Sequence, residues 1–114
     1  MSTCLFCQIA EGQLNAKKVF EDDRCLAFDD VNPQAPVHTL VIPKRHVSSL
    51  NEFQANDTEL LGHLLQTCRQ VAKEKGVADS GYRTVINTGH EAGQTVFHVH
   101  VHVLGGRTCQ WPPG

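Results

Sequence analysis

The segment "FHVHVHV" at residues 97–103 sets His98, His100 and His102 at alternate positions, with a valine after each. Successive side chains on a β-strand point to opposite faces of its sheet, so residues two apart share a face. The pattern predicts a strand over residues 96–104 whose valines enter the core and whose imidazoles line the other face. An imidazole can be a nucleophile, a proton donor or a metal ligand near neutral pH, so this strand is the first candidate for a functional site.

The composition is that of an ordinary folded protein: 114 residues, 40% hydrophobic and 19% charged, with a formal net charge of −2. This length suits a single domain over residues 1–114, and the charge balance gives no reason to expect a nucleic-acid partner. No apolar run approaches the roughly 18 residues of a membrane span, so we expect no membrane partner. The start "MSTCLFCQIAEG" lacks the basic flank and long apolar stretch of a signal peptide, which favours a cytoplasmic protein. The five cysteines are then expected to be reduced thiols or metal ligands and not a disulfide framework.

The remaining patterns indicate an α+β protein. A short helix is expected in "CLFCQIAE", and the runs "KVFED", "CLAFDD", "HTLVIP" and "YRTVIN" favour strands of an antiparallel sheet. The stretch "NDTELLGHLLQTCRQVAKEKG" has apolar residues at helical spacing, which predicts one long helix with Asn56 or Asp57 as its N-cap and Gly76 at its end. The tail "GGRTCQWPPG" cannot continue a central strand, because Pro112 and Pro113 have no N–H to donate.

A row of histidines could also belong to a metal site or to a surface strand, but three in register beside the glycine-rich loop "TGHEAGQ" make chance a poor explanation. "HVHVHV" is similar to the His-x-His-x-His-x signature of the histidine triad (HIT) superfamily. The stretches "FEDDRCLAFDDVNPQAPVHTLVIPKRH", "GYRTVINTGHEAGQTVFHVHVHVLGGR" and "WPPG" resemble its histidine triad nucleotide-binding (Hint) branch. The resemblance covers nearly the whole chain, and members of that branch are purine nucleoside phosphoramidases.

This resemblance implies a HIT-like fold, a five-stranded antiparallel sheet with one long helix and a short N-terminal helix. It also implies a homodimer in which two sheets join edge to edge into one sheet of ten strands. The C-terminal tail, residues 105–114, would then contact the partner protomer at its active site. Trp111 is the only tryptophan, and both an unburied tryptophan and a free strand edge favour such pairing.

The resemblance also implies a mechanism. His100 matches the family's nucleophile, which attacks the α-phosphorus of an adenosine or guanosine 5′-phosphoramidate and releases the amine. Water then hydrolyses the nucleotidyl-histidine to the nucleoside monophosphate, and this two-step route suits imidazole, a good nucleophile and leaving group. His98 and His102 flank it and can donate to phosphoryl oxygens. His38 matches the histidine that orients the triad, although by itself it would more often be a hydrogen-bonded strand residue. Catalysis would require no cofactor.

The nucleotide-binding residues are likewise implied by resemblance. Asp30 is expected to hold the ribose hydroxyls, and Trp111 to reach the partner's site. Many relatives have Gly-Gly and Ser where this chain has Ala92-Gly93 and Thr95. The residues expected beside the phosphate are Asn87, Gly93, Gln94 and Thr95. The residues expected in an apolar slot around the base, each of which would by itself more often be simply core, are Phe6, Ile9, Leu14, Phe28 and Val31.

Cys4 and Cys7 have the Cys-x-x-Cys spacing of tetrahedral zinc sites. By itself such a pair is as often two half-buried thiols. In zinc-binding members of the superfamily the other two ligands match His46 and His98 here, so the resemblance implies a structural zinc on these four side chains. Four protein ligands would leave no open position for a substrate.

Two other functions stay open at this point. Hydrolysis of dinucleoside polyphosphates belongs to another branch of the superfamily, and the "WPPG" tail counts against it. A nucleotide-binding regulatory or scaffold protein would need no turnover, and the intact triad counts against that reading.

Overall fold

The computed structural model describes residues 3–114, which form one five-stranded antiparallel sheet with a long helix and a short N-terminal helix. This confirms the predicted α+β architecture. The elements in chain order are α1 (Leu5–Ala10), β1 (Lys18–Glu21), β2 (Cys25–Asp29), β3 (Val37–Pro43), α2 (Thr58–Glu74), β4 (Tyr82–Val85) and β5 (Val101–Gly105). The strand order is β1-β2-β3-β5-β4, so β1 and β4 are the two edges.

The long helix α2 buries one apolar stripe against one face of the sheet. Its buried positions recur every three or four residues, as expected for an amphipathic helix. Gly76 has φ +76°, a conformation that favours glycine, and the Val77 N–H donates to the Ala72 carbonyl at 2.9 Å to end the helix. The main residues of this core are Cys25, Ala27, Val41, Leu64, Cys68, Val71, Ala72, Val101 and Val103.

Asp57 is the N-cap residue of α2, one of the two positions predicted, but it forms no side-chain capping bond. Its carboxylate instead accepts from the Gln54 N–H at 2.8 Å and pairs with Arg45 at 3.0 Å. A short 3₁₀ turn, Ala55–Asp57, leads into the helix and takes up this side chain. Neither helix among residues 3–114 combines the length and apolar character that a bilayer crossing needs.

The opposite face of the sheet carries α1 and the histidines. Phe6 and Ile9 project from α1 onto apolar side chains of β2 and β3, and the rings of Phe6 and Phe28 meet edge to face at 5.5 Å. The strand residues of this cluster are Leu26, Phe28, Leu40 and Ile42. The candidate site therefore lies on the face that α2 leaves uncovered.

The strand predicted over residues 96–104 is shorter than expected, because β5 begins only at Val101. Its pairing with β3 ends at Val41, and Pro43 at the end of β3 has no N–H to extend the ladder. The Val99 N–H instead donates to the Val47 carbonyl at 2.7 Å, which ties the preceding segment to the loop after β3. The alternation itself holds, with valines 99, 101 and 103 buried.

Candidate active site

A cavity of about 420 Å³ opens on the α1 face of the sheet beside the histidines. Apolar side chains form most of its wall, and His100 and His102 lie at its polar side. The predicted site residues that line it are Phe6, Ile9, Leu14, Phe28, Asp30, Val31, Thr95, His100 and His102. Sequence reasoning missed Leu5, Asn15 and Leu40, which line the cavity too.

Several residues predicted beside the phosphate do not line this cavity. Gln94 is buried, and its amide donates to the Ser48 and Val96 carbonyls at 2.7 and 3.1 Å and accepts from the Gly89 N–H at 2.9 Å. With these bonds Gln94 holds the loop together. Gly93 has φ +85° and its N–H donates to the His90 carbonyl at 3.0 Å, so it shapes a turn.

The other predicted residues outside the cavity wall fall in two groups. Asn87 is half-buried, and Trp111 is 81% exposed on the C-terminal tail. His38 and His98 lie behind the wall, where each touches a histidine or the cysteine pair.

His100 has a fixed tautomer. Its Nδ1 lies 2.7 Å from the His98 carbonyl, which can only accept, so Nδ1 carries the proton and Nε2 keeps its lone pair. The ring of Phe6 stands edge-on at 5.1 Å. Burial lowers the pKa of His100, which keeps the imidazole neutral at neutral pH. The arrangement presents one neutral nucleophilic nitrogen at the cavity.

A second chain of hydrogen bonds sets His102. The Gln34 N–H donates to His38 Nδ1 at 3.0 Å, so His38 carries its proton on Nε2 and donates it to His102 Nδ1 at 2.9 Å. His102 must then carry its proton on Nε2, a buried atom with no partner among residues 3–114. Burial, with the nearby His100 and His38, lowers the pKa of His102 to about 4. A neutral N–H donor thus stands beside the nucleophile.

Asp30 lies next to this chain of imidazoles. One carboxylate oxygen accepts from the Asn32 N–H at 2.9 Å, and the other lies 3.5 Å from His38 Nε2. Burial lowers the pKa of His38, and the charge of Asp30 opposes that shift. Asp30 therefore places a carboxylate on the cavity wall close to the histidines.

Cys4, Cys7, His46 and His98 bring four ligand atoms together, all within 4.8 Å of one another. The Cys7 Sγ to His46 Nδ1 distance is 3.3 Å, the Cys4 Sγ to His98 Nδ1 distance 3.4 Å, and the two Nδ1 atoms are 3.3 Å apart. A tetrahedral zinc with bonds of about 2.0 Å to nitrogen and 2.3 Å to sulfur spaces its ligands about 3.3 to 3.8 Å apart. His98 donates from Nε2 to the Pro43 carbonyl at 2.7 Å, which leaves Nδ1 bare toward the group. The four residues fit zinc.

A second group of potential ligands, Asp22, Cys25 and His63, lies on the α2 face. Here the Arg24 guanidinium lies 3.3 Å from His63 Nδ1, and the opposite nitrogen bonds Asp22 at 2.6 Å. Burial raises the pKa of the Cys25 thiol to about 11, which disfavours the thiolate that a metal needs. The contact between Asp22 and His63, called the clamp, instead holds the turn between β1 and β2 against α2.

Comparison with known proteins gives the family. The HIT domain model matches residues 11–109. The chain belongs to the HIT domain family. An uncharacterized HIT-like protein of Synechococcus elongatus is 54% identical to this HIT-domain chain over 110 residues, 96% of each chain.

Solved structures support the assignment of this chain to the HIT domain family. A HIT family hydrolase from Legionella pneumophila superposes with a TM-score of 0.96 at 47% identity, covering 98% of this chain and all of that one. A histidine triad nucleotide-binding protein from Candida albicans superposes with a TM-score of 0.82 at 29% identity, covering 96% of this chain and 83% of that one. The superfamily expected from the sequence is confirmed.

Proposed function

We propose that this HIT-domain protein is a purine nucleoside phosphoramidase of the Hint branch. It hydrolyses the P–N bond of adenosine or guanosine 5′-phosphoramidates to the nucleoside monophosphate and an amine, through a nucleotidyl-histidine. The observation that carries the proposal is the bare Nε2 of His100 at a cavity whose wall is mostly apolar. The names of its relatives, a hydrolase and a nucleotide-binding protein, support the same function.

In the first step the Nε2 lone pair of His100 attacks the α-phosphorus. The Nε2–P bond forms, the P–N bond breaks, and the amine leaves with the bonding electrons and a proton from water. The His98 carbonyl, which accepts a hydrogen bond from the His100 Nδ1–H, stabilises the positive charge that develops on the ring. The His102 N–H donates to a phosphoryl oxygen as negative charge develops there.

In the second step a water oxygen attacks phosphorus and the P–Nε2 bond breaks. Its electron pair returns to His100 and the water loses a proton to solvent, so the two steps together consume one water. Imidazole suits both steps because it attacks well and leaves well. His38 acts as a positioning residue, since its proton fixes the tautomer of His102.

The rest of the cavity binds the nucleoside. Asp30 accepts from the ribose hydroxyls, and Thr95 donates to the phosphate. The base lies against Phe6, Phe28 and their apolar neighbours on the wall, which are large aromatic or aliphatic surfaces. This division of polar and apolar lining fits a nucleoside monophosphate moiety better than a small anion.

Zinc is part of the proposal as a structural ion. Cys4, Cys7, His46 and His98 would hold it, and when bound it would cross-link α1 to the sheet. With four protein ligands it has no open position, so it takes no part in the reaction. A homodimer is also part of the proposal, with the exposed Trp111 on the tail reaching a partner.

The direct test is turnover of an adenosine 5′-phosphoramidate that carries a fluorescent amine. We expect the wild type to release the amine and His100→Ala to be slower by about 10³-fold or more, as for loss of other catalytic nucleophiles. His90→Ala, which removes an exposed histidine from the nearby loop, serves as the matched control and should keep wild-type activity.

Two results would overturn the phosphoramidase. If AMP binds but no phosphoramidate is hydrolysed, the protein is a nucleotide-binding regulatory or scaffold module. If a dinucleoside polyphosphate is hydrolysed with the higher kcat/KM, it belongs with the polyphosphate hydrolases.

A further inference from the structure

Asn15 is the polar residue of the cavity that the proposed reaction leaves without a role. The histidines, Asp30 and Thr95 line the same cavity and serve phosphate and ribose in that reaction. Asp29 lines it too, but its carboxylate accepts from the Thr39 hydroxyl and pairs with Lys75, each at 2.9 Å. Among the described residues that line the cavity, Asn15 is therefore the polar side chain to which neither the fold nor the proposed reaction gives a role.

The loop after α1 holds Asn15 in place. The N–H groups of Gln13 and Leu14 both donate to the Gln8 carbonyl, at 2.8 and 3.2 Å, which folds the loop back onto the end of the helix. Asn15 follows directly, and it lines the cavity together with Leu14 and Ala16 on either side. An anchored backbone limits how far its side chain can move from the wall.

The amide of Asn15 is available to a ligand. The side chain is exposed, and within residues 3–114 it makes no hydrogen bond to the protein. An amide offers an acceptor beside a donor, so it can form two parallel hydrogen bonds to a partner that presents a donor beside an acceptor. The surrounding wall is apolar, with Leu14 and Ile9 among its residues. A flat base packed there would meet this one polar group at its edge.

Adenine has the matching pattern. Its 6-amino donor lies beside N7 on one edge and beside N1 on the other, and asparagine is the usual bidentate partner of the first pair. Guanine presents two adjacent acceptors, O6 and N7, on the corresponding edge, which an amide cannot pair with twice. On its other edge guanine presents O6 beside N1–H and can pair with an amide twice, so an asparagine favours adenine when it faces the N7 edge of the base.

We propose that Asn15 binds the N7 edge of the base, and that it is the specificity-determining residue of the base slot and selects adenine over guanine. This inference rests on the proposed function, because it places the base of the substrate against the apolar wall. Since the site is open to water, the preference is modest. A bidentate pair at its weaker end amounts to a preference of about five- to tenfold.

The experiment compares two properties for each base. One is kcat/KM for adenosine and guanosine 5′-phosphoramidates with the same amine, and the other is the Kd of AMP and GMP by calorimetry. Wild type is measured beside Asn15→Ala and Asn15→Asp. Gln13→Ala, an amide removed from the same loop outside the cavity lining, is the matched control.

We expect wild type and Gln13→Ala to favour adenine by about five- to tenfold in both readouts, and Asn15→Ala to lose most of that preference. Asn15→Asp should keep a preference for adenine, because a carboxylate accepts from the 6-amino group but meets only the acceptors O6 and N7 on the same edge of guanine. Purine ribonucleotide without a 6-amino group should bind wild type as weakly as AMP binds Asn15→Ala.

The outcomes separate this inference from the proposed function. Equal treatment of the two bases by wild type, or an adenine preference that Asn15→Ala keeps, would overturn the role of Asn15 while hydrolysis stands. No hydrolysis together with an Asn15-dependent preference for AMP would overturn the phosphoramidase and support the role of Asn15. Absence of both hydrolysis and nucleotide binding would overturn the two together.

Discussion

At the scale of single residues, one hydrogen-bond partner on each imidazole decides which ring nitrogen carries the proton. The His98 carbonyl fixes His100, the Gln34 N–H fixes His38 and through it His102, and the Pro43 carbonyl fixes His98. The result is two bare nitrogens and one free N–H, which the proposed function assigns to phosphorus (His100), zinc (His98) and a phosphoryl oxygen (His102). Three chemically identical side chains thus acquire three different roles.

The first prediction concerns the pair His38 and His102. His102→Ala should lower kcat by about 10²- to 10³-fold, because the donor to the phosphoryl oxygen is lost, while the Kd of AMP changes little. His38→Ala should lower kcat by weakening the same donor, because His38 fixes the tautomer of His102. The double variant should therefore be no slower than His102→Ala alone, as measured by single-turnover kinetics. If the loss of kcat in the double variant equals the product of the two single losses, His38 does not act through His102.

The sequence pattern identified the row of histidines and the cysteine pair, but not these tautomers. The residues that set them, Gln34 and Pro43, are distant along the chain and carry no signal of their own beyond their place in the loops. Gln94 shows the opposite case. Its position in the loop suggested a phosphate contact, whereas its amide is used for loop structure.

At the scale of elements, α1 depends on its attachments. It has only six residues, too few to be stable as an isolated helix. Cys4 begins it, with its Sγ accepting from the Cys7 N–H at 3.4 Å, and both thiols lie against His46 and His98. The same helix carries Phe6 into the wall of the cavity. The candidate metal-ligand group and the proposed base slot are therefore built on one short segment.

The second prediction is that zinc removal weakens both the fold and nucleotide binding. Protein treated with a chelator, or Cys7→Ser, should lose at least about 5 °C in Tm, because a ligand bound only by the folded state no longer stabilises it. AMP binding by calorimetry should weaken in parallel as the wall of the slot loosens. Cys109→Ser, outside the ligand group, is the control. Unchanged Tm and Kd after complete metal removal would contradict this coupling.

The third prediction concerns the clamp between the β1–β2 turn and α2. Burial alone would raise the pKa of Asp22, but the N–H groups of Arg24 and Cys25 and the His63 side chain lower it to about 2. A carboxyl with a depressed folded pKa stabilises the protein above its unfolded pKa, about 3.9, and loses that effect as the pH falls toward 2. Asp22→Asn should lower the free energy of unfolding by about 1–2 kcal/mol at pH 7.

Urea unfolding of wild type and Asp22→Asn at a series of pH values checks this. The difference between them should shrink as the pH falls below about 4. Asp23→Asn, at the exposed neighbouring position, should show no such trend. A difference that does not depend on pH would contradict the charge-based clamp. The sequence could not show this pair, because Asp22 and His63 are 41 residues apart and meet only when α2 packs on the sheet.

At the scale of the whole molecule, the sequence pattern predicted the strands of the sheet well. The edges of the sheet also bear on whether two chains pair. The runs of β-branched and aromatic residues identified all five strands, and the error over residues 96–100 came from Pro43, which ends the ladder of its neighbour. Tyr82 on the edge strand β4 is partly exposed, and Trp111 on the C-terminal tail is 81% exposed. Such an edge with nearby exposed aromatics is a surface suited to a second copy of the chain.

The fourth prediction is a homodimer in solution. Light scattering should give twice the mass of the chain at micromolar concentration. Trp111→Ala should weaken the dimer or the turnover that depends on the partner's tail, whereas Leu65→Ala, an exposed apolar residue on α2, should do neither. A mass equal to one chain for the active wild type would contradict the dimer.

The central claim is that His100 becomes covalently nucleotidylated, and mass spectrometry of the trapped intermediate tests it most directly. Wild type mixed with an adenosine 5′-phosphoramidate, quenched within the first turnover and digested, should yield the peptide containing residues 97–103 with one added adenylyl group on His100. His100→Ala should yield none. Amine release by wild type with no adduct at any quench time, or an adduct on another residue, would contradict the account.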